Sequence, residues 1–232
     1  ETGWRYRDAM MQLAAAAGVA VFYEGVSSPA TDPVEVERRA QVAAEAARRY
    51  QASPGWFIDI RNEPSLPVGK GEADHAEFRR WLRDRYGDTA SLRQAWGEDL
   101  TEVELDQVHL APMSGSWASL RAVDTQRFMA FAMRRWTAET AAAVRAVDPT
   151  RLVSVGHLQG FGTFGVLWDP VEASRDMDFA NRHYYGDLNS YAPELMQVDL
   201  RLLGIAPSTG EFGATSHPGL RSHGVYEPEE LV

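Results

Sequence analysis

The chain has 232 residues, 33 acidic against 23 basic side chains for a net charge of −10, and no cysteine. That length can bury a substantial core, and the acidic balance argues against a nucleic-acid backbone or an anionic membrane surface as the main partner. Without cysteine there is no disulfide framework, thiolate metal site or cysteine nucleophile, although the compartment stays open. No apolar run approaches the roughly 20 residues of a membrane span.

Tyr6, Ala9, Met10, Leu13, Ala14 and Ala17 recur at helical spacing and Gly18 stops them, so residues 1–17 read as a helix and not a signal peptide. The run 19–24, closed by Gly25, has the length and composition of a strand. Val36, Ala40, Ala43, Ala47 and Tyr50 form one stripe of a helix from Pro33 to Tyr50, and residues 56–61 are again strand-like. This alternation predicts a parallel sheet covered by helices.

The rhythm pauses over residues 65–122, which read as an insertion. Within it Phe78, Trp81, Leu82 and Tyr86 mark a helix ending at Gly87, and a helical turn follows at 91–96. A long helix then starts at an expected Asp124 cap, with Phe128, Phe131, Ala132 and Trp136 inward. Strands are expected at 152–156, 178–183 and 208–212, with a helix near 193–203 between the last two. The chain reads as one domain without repeats or linkers.

Polar residues stand at the C-terminal end of almost every strand: Glu24, Asn62-Glu63, His157, His183 to Tyr185, and Glu211. A (β/α)8 barrel builds its active site there from several strands at once, whereas an open sheet concentrates it at one switch point. The barrel is the expected fold.

In Trp56-Phe-Ile-Asp-Ile-Arg-Asn-Glu-Pro-Ser65, Glu63 follows an apolar strand and precedes a proline that ends it, which aims its side chain into the mouth of the sheet. Glu211 ends another short strand between glycines. Either glutamate alone could be a strand-end carboxylate paired with Arg61 or Arg182. Two of them at equivalent strand ends can face each other across a barrel mouth, as retaining glycoside hydrolysis requires.

On these residues the chain resembles the clan of retaining (β/α)8 glycoside hydrolases, in which the acid/base Glu follows Asn at the end of strand 4 and the nucleophile Glu ends strand 7. The stretch from Phe78 to Gly87, continued by Leu92 and Ala95-Trp96-Gly97, is similar to the segment after strand 4 of the family 42 β-galactosidases. His183-Tyr-Tyr185 and Glu211-Phe-Gly213 are closer to family 5. The resemblance implies Glu63 as general acid/base, Glu211 as nucleophile, Asn62 on the sugar 2-hydroxyl, and Tyr185 orienting the nucleophile with His183 on the same wall. It implies a β-galactoside, β-mannoside or β-glucoside within an oligo- or polysaccharide, and no metal or organic cofactor. The rival reading is a non-catalytic carbohydrate-binding pseudoenzyme or an inactive segment of a larger glycosidase.

Other signals are weaker. Gly160-Phe-Gly-Thr-Phe-Gly165 matches the dinucleotide fingerprint, but Asp169-Pro170 spoils the helix it should open. A loop offering Phe161, Phe164 and Trp168 as sugar platforms fits better, with Trp117 in another loop. His157 could line the site or pack in the core. Glu24 is expected to bind substrate or form an ion pair, and Arg48-Arg49 and Arg79-Arg80 read as solvated helix faces. Five strands correspond to strands 3 to 7 of the clan, so strands 1, 2 and 8 are expected from a longer native chain.

Overall fold

The computed structural model describes residues 2–64, 66, 71–97, 104–111, 119–157, 169–185, 201 and 204–213. Helix α1 (Thr2–Ala17) leads into β1 (Val21–Glu24), α2 (Pro33–Tyr50) and β2 (Trp56–Asp59). Helices α3 (Glu72–Tyr86) and α4 (Thr89–Trp96) and a 3-10 turn at Leu105–Gln107 precede the long α5 (Leu120–Val147). Then come β3 (Val153–Ser154), β4 (Gly156–His157), α6 (Pro170–Ser174), β5 (Phe179–Tyr185) and β6 (Ala206–Gly213).

All the strand pairings are parallel, in the orders β1-β2-β3 and β4-β5-β6. β3 and β4 are two halves of one strand, which pairs with β2 before Val155 and with β5 after it. Ile60 N–H donates to Ser154 O, Gly156 N–H to Arg61 O, and Glu63 N–H to Gly156 O, so the ladder continues past the end of β2.

The array curls. In a flat sheet β1 and β5 would stand roughly 14 Å apart, three steps of about 4.8 Å. Yet the Phe22 and Phe179 rings lie 6.3 Å apart, and Phe57 packs edge-on against both at 4.1 and 5.8 Å. These three side chains line the concave side. Ile58, Ile60, Val153 and Val155 point the other way, into a core shared with Met129, Met133 and Trp136 of α5 and with the alanines of α2.

Helix α2 follows its sequence closely. Asp32 caps it by accepting from Val34 N–H, Pro33 fills the first turn where no donor is needed, and Val36, Ala40, Ala43, Ala47 and Tyr50 are all buried. Its small side chains let α5 pack closely. In the expected insertion, Phe78, Leu82, Leu92, Trp96, Leu105, Val108 and Leu110 form a second small core that leans on Phe128 of α5.

Three local expectations are corrected. Helix α5 starts earlier, on Ser119, whose hydroxyl accepts from Ala122 N–H. Asp124 is instead buried inside the helix, accepting from Tyr86 Oη at 2.6 Å and Trp96 Nε1 at 2.8 Å, while Phe131 is exposed. On α1 the expected stripe faces outward: Tyr6 and Leu13 are 71% and 67% exposed, and Met11 and Trp4 make the core contacts. Arg49 is exposed as expected and clasps Asp8 of α1 through two hydrogen bonds, whereas Arg79 is not a solvated face residue: its side chain is 14% exposed and donates to Val108 O. Among the described residues no helix is long and apolar enough to cross a membrane.

Candidate active site

The curl brings the C-terminal ends of β2 and β6 together on the concave side. Glu63 lies just beyond β2 with φ of +43°, the one positive φ outside glycine among the described residues. A non-glycine side chain in this left-handed region is strained, and such strain persists where the surroundings impose it. Here the imposing contact is the hydrogen bond from Glu63 N–H to Gly156 O at 3.0 Å.

Glu211 stands on β6 directly opposite His183 of β5, at a register shift between Arg182 and His183. The extra residue is Gly210 on β6, and it brings Glu211 onto the inward face opposite His183, which alternation already puts on the side of Phe179 and Asn181. His183 is 1% exposed, and its Nδ1 lies 2.7 Å from Glu63 Oε1 and 3.4 Å from Glu211 Oε2. The two carboxylates remain about one third exposed, open to a ligand. One oxygen from each and the histidine nitrogen all lie within 4.8 Å of one another.

Two carboxylates and an imidazole are also the donor set of a cation site, and among the described residues this is the only such group. The 2.7 Å contact between His183 and Glu63 is a hydrogen bond, closer than the roughly 3.3 Å between ligands around a tetrahedral zinc with bonds of about 2.0–2.1 Å. The geometry as it stands suits proton sharing.

Below the pair lies a buried polar layer that the sequence pattern did not single out. Asp59, fully buried, accepts from Gly156 N–H at 2.8 Å and from Asn181 Nδ2 at 2.7 Å. Burial pushes its carboxyl up to about 6, although both hydrogen bonds oppose the shift; the charge of Glu24 adds to it and that of His183 counters it. A Cβ on Gly156 would stand 3.0 Å from Asp59 Oδ2, 3.3 Å from Asn62 Oδ1 and 3.3 Å from His183 Nε2. Glycine there lets those three side chains converge under the pair.

The other expected site residues divide. Asn62 is in the group, with Oδ1 buried and without a hydrogen-bond partner among the described residues. Glu24 ends β1 opposite Asp59 and acts on it through charge. His157 is corrected: its position on β4 turns it toward the helices, where Nε2 lies 2.6 Å from Ser174 Oγ, and burial holds its imidazole well below the usual range. Tyr185 pairs in register with Gly213, two positions beyond the His183–Glu211 pair, and its side chain lies outside the described residues, as do Trp117, Phe161, Phe164 and Trp168.

The family model described as β-galactosidase, glycoside hydrolase family 42, matches residues 30–201. The chain belongs to that family. A curated β-galactosidase of Arthrobacter sp. is 28% identical over 151 residues, which is 62% of this chain and 21% of that protein. Among solved structures, the cold-adapted β-galactosidase from Rahnella sp. R3 matches 96% of this chain and 39% of its own, at a TM-score of 0.72 and 18% identity. The β-galactosidase from the psychrophilic Marinomonas ef1 matches 82% and 34%, at a TM-score of 0.65 and 18% identity. The likeness shows the fold to be that of the TIM-barrel glycosidases, of which this chain provides an arc of parallel strands and their helices. The chain spans well under half the length of these relatives.

Proposed function

We propose that this family 42 chain carries the catalytic pair of a retaining β-galactosidase. The observation behind it is the approach of the Glu63 and Glu211 carboxylates to within 4.8 Å, with His183 between them. That is near the roughly 5–5.5 Å of a retaining pair and well short of the roughly 6.5–9.5 Å that leaves room for an inverting water. The Asn62-Glu63 sequence, similar to the acid/base position of the clan, divides the roles.

In the first step Glu211 attacks the anomeric carbon while Glu63 protonates the departing glycosidic oxygen, leaving a glycosyl-enzyme ester. Glu63, now a carboxylate, then takes a proton from water as the water displaces Glu211. Esterification removes the charge on Glu211, and His183, with Nδ1 2.7 Å from Glu63 Oε1, orients Glu63 for that second role. Asn62 holds the sugar 2-hydroxyl, and the Tyr185 side chain orients the nucleophile. The exposed apolar residues Tyr6, Leu13 and Phe22, on α1 and β1, are where further βα units of the ring would pack.

The test uses an activated aryl β-galactoside with the full-length protein and with Glu211→Gly and Glu63→Ala, each with added azide. Removing the nucleophile leaves one displacement and gives the α-glycosyl azide; removing the acid/base leaves two and gives the β-glycosyl azide. Loss of turnover in neither variant, or the same azide from both, refutes the assignment. Aryl mannosides and glucosides in the same assay settle the sugar. Glycan binding without hydrolysis by the full-length protein would favour a pseudoenzyme, and turnover by residues 1–232 alone would remove the need for further barrel units.

A further inference from the structure

We propose that Asp59 is the positioning residue of the catalytic pair, tying the strand that carries Glu63 to the strands that place Glu211. The inference rests on the catalytic reading of that pair. Asp59 touches neither glutamate, and its effect runs through two hydrogen-bonded paths.

The first path leads to Glu63. Asp59 Oδ1 accepts from Gly156 N–H at 2.8 Å, and Gly156 O accepts from Glu63 N–H at 3.0 Å. The two bonds meet at residue Gly156: its N–H is held by Asp59, and its carbonyl, in the next peptide unit, holds Glu63 at φ +43°. Left to itself the backbone there would relax toward the β or right-handed region and swing the carboxylate away. Asp59, the nearer of two acceptors on that N–H (Arg61 O is 3.2 Å away), therefore fixes the residue whose carbonyl holds the acid/base.

The second path leads to Glu211. Asp59 Oδ2 accepts from Asn181 Nδ2 at 2.7 Å, and Asn181 pairs with Ser208 of β6. The Asn181 amide lies against the Cα of Gly210: a Cβ on that residue would overlap Asn181 Oδ1 and Nδ2. The amide thus occupies the space of the missing side chain next to the nucleophile and sets how closely β6 approaches. Asp59, Asn181 and His183 are 0%, 3% and 1% exposed, so no water competes for these bonds.

Asparagine at position 59 keeps an acceptor for Gly156 N–H, and rotating the Asn181 amide restores the second bond. Alanine keeps neither. Turnover of an aryl β-galactoside by full-length protein is therefore measured for the parent, Asp59→Asn, Asp59→Ala and Asn181→Ala, with thermal unfolding followed on each. The expected result is a fall in kcat of about 100-fold in Asp59→Ala with KM changed less than about threefold, since a misplacement near 1 Å costs on that order. Asp59→Asn should recover kcat to within about tenfold of the parent. A folded Asp59→Ala that keeps kcat within threefold, or an Asn variant as slow as the Ala variant, overturns the proposal. If Asp59→Ala does not fold, Asn181→Ala, which cuts the second path alone, takes its place with the same criteria.

A crystal structure of Asp59→Ala, or of Asn181→Ala in its place, gives a readout that does not need turnover. The nearest Glu63 and Glu211 oxygens should lie farther apart than 4.8 Å, and unchanged spacing refutes the positioning role. A parent that hydrolyses nothing would refute the catalytic reading, while this spacing would still decide the role of Asp59.

Discussion

Asp59→Asn gives a stability test that does not depend on activity. Burial holds the Asp59 carboxyl up at about 6, against 3.8 in an unfolded chain. The folded protein thus binds this proton more tightly, and the stability it contributes is full below pH 3.8 and lost as the pH rises through 6. Each unit is worth about 1.36 kcal/mol, so the whole effect is about 3 kcal/mol, of which about 2 kcal/mol falls between pH 4.5 and 7.5. Asparagine cannot titrate. In urea unfolding at those two pH values, the stability of the parent minus that of Asp59→Asn should therefore drop by about 2 kcal/mol on going to pH 7.5. Comparing the two proteins cancels every group they share. An equal difference at both pH values would show that Asp59 is not the buried acid described, and Glu24→Gln should shrink the effect because its charge adds to the shift.

Other outcomes follow from the same structure. His157 is buried beside Ser174 with its imidazole held well below its ordinary value by burial, so its contribution is present above pH 6.5 and lost as the pH falls below it. In urea unfolding, His157→Asn should flatten that acid-side loss without abolishing hydrolysis. Leu92→Ala, in the second small core, should cost about 2–5 kcal/mol by chemical denaturation, because Leu92 is wholly buried among Phe78, Leu82 and Trp96. A cost below 1 kcal/mol would mean that this core does not hold. Gly210→Ala drives a methyl group into the Asn181 amide and should lower stability by about 1–3 kcal/mol. The same change in thermal unfolding for Gly3→Ala, where a Cβ meets nothing within 4 Å, would discredit the clash.

How much was legible in the sequence varied with how local the cause was. Pro33 at the helix start, the apolar stripe to Tyr50 and the glycine stop at Gly87 each act within a few residues, and α2 and α3 formed where those signals put them. Asn62-Glu63-Pro64 and Gly210-Glu211 were visible as carboxylates ending short strands, and the structure brings the two together. The strand boundaries moved by a residue or more, because pairing with a neighbour and not propensity ends a strand.

What was not legible depended on which way a side chain faces. Parallel strands are apolar on both sides, so alternation does not mark the concave face. His157 therefore read as a site candidate when it points to α6, and Asp59, hidden in an apolar run, did not stand out as the centre of the polar layer. The α1 stripe and Asp124 failed for a related reason. Helical periodicity names a face but not its partner, and the partners of Asp124, Tyr86 and Trp96, stand 38 and 28 residues away. The residue types alone determined that two strand-end glutamates could act as a pair. Only the curl of the sheet and the irregularity before His183 decided that they meet, because pairing register and curvature are set by packing across the whole fold.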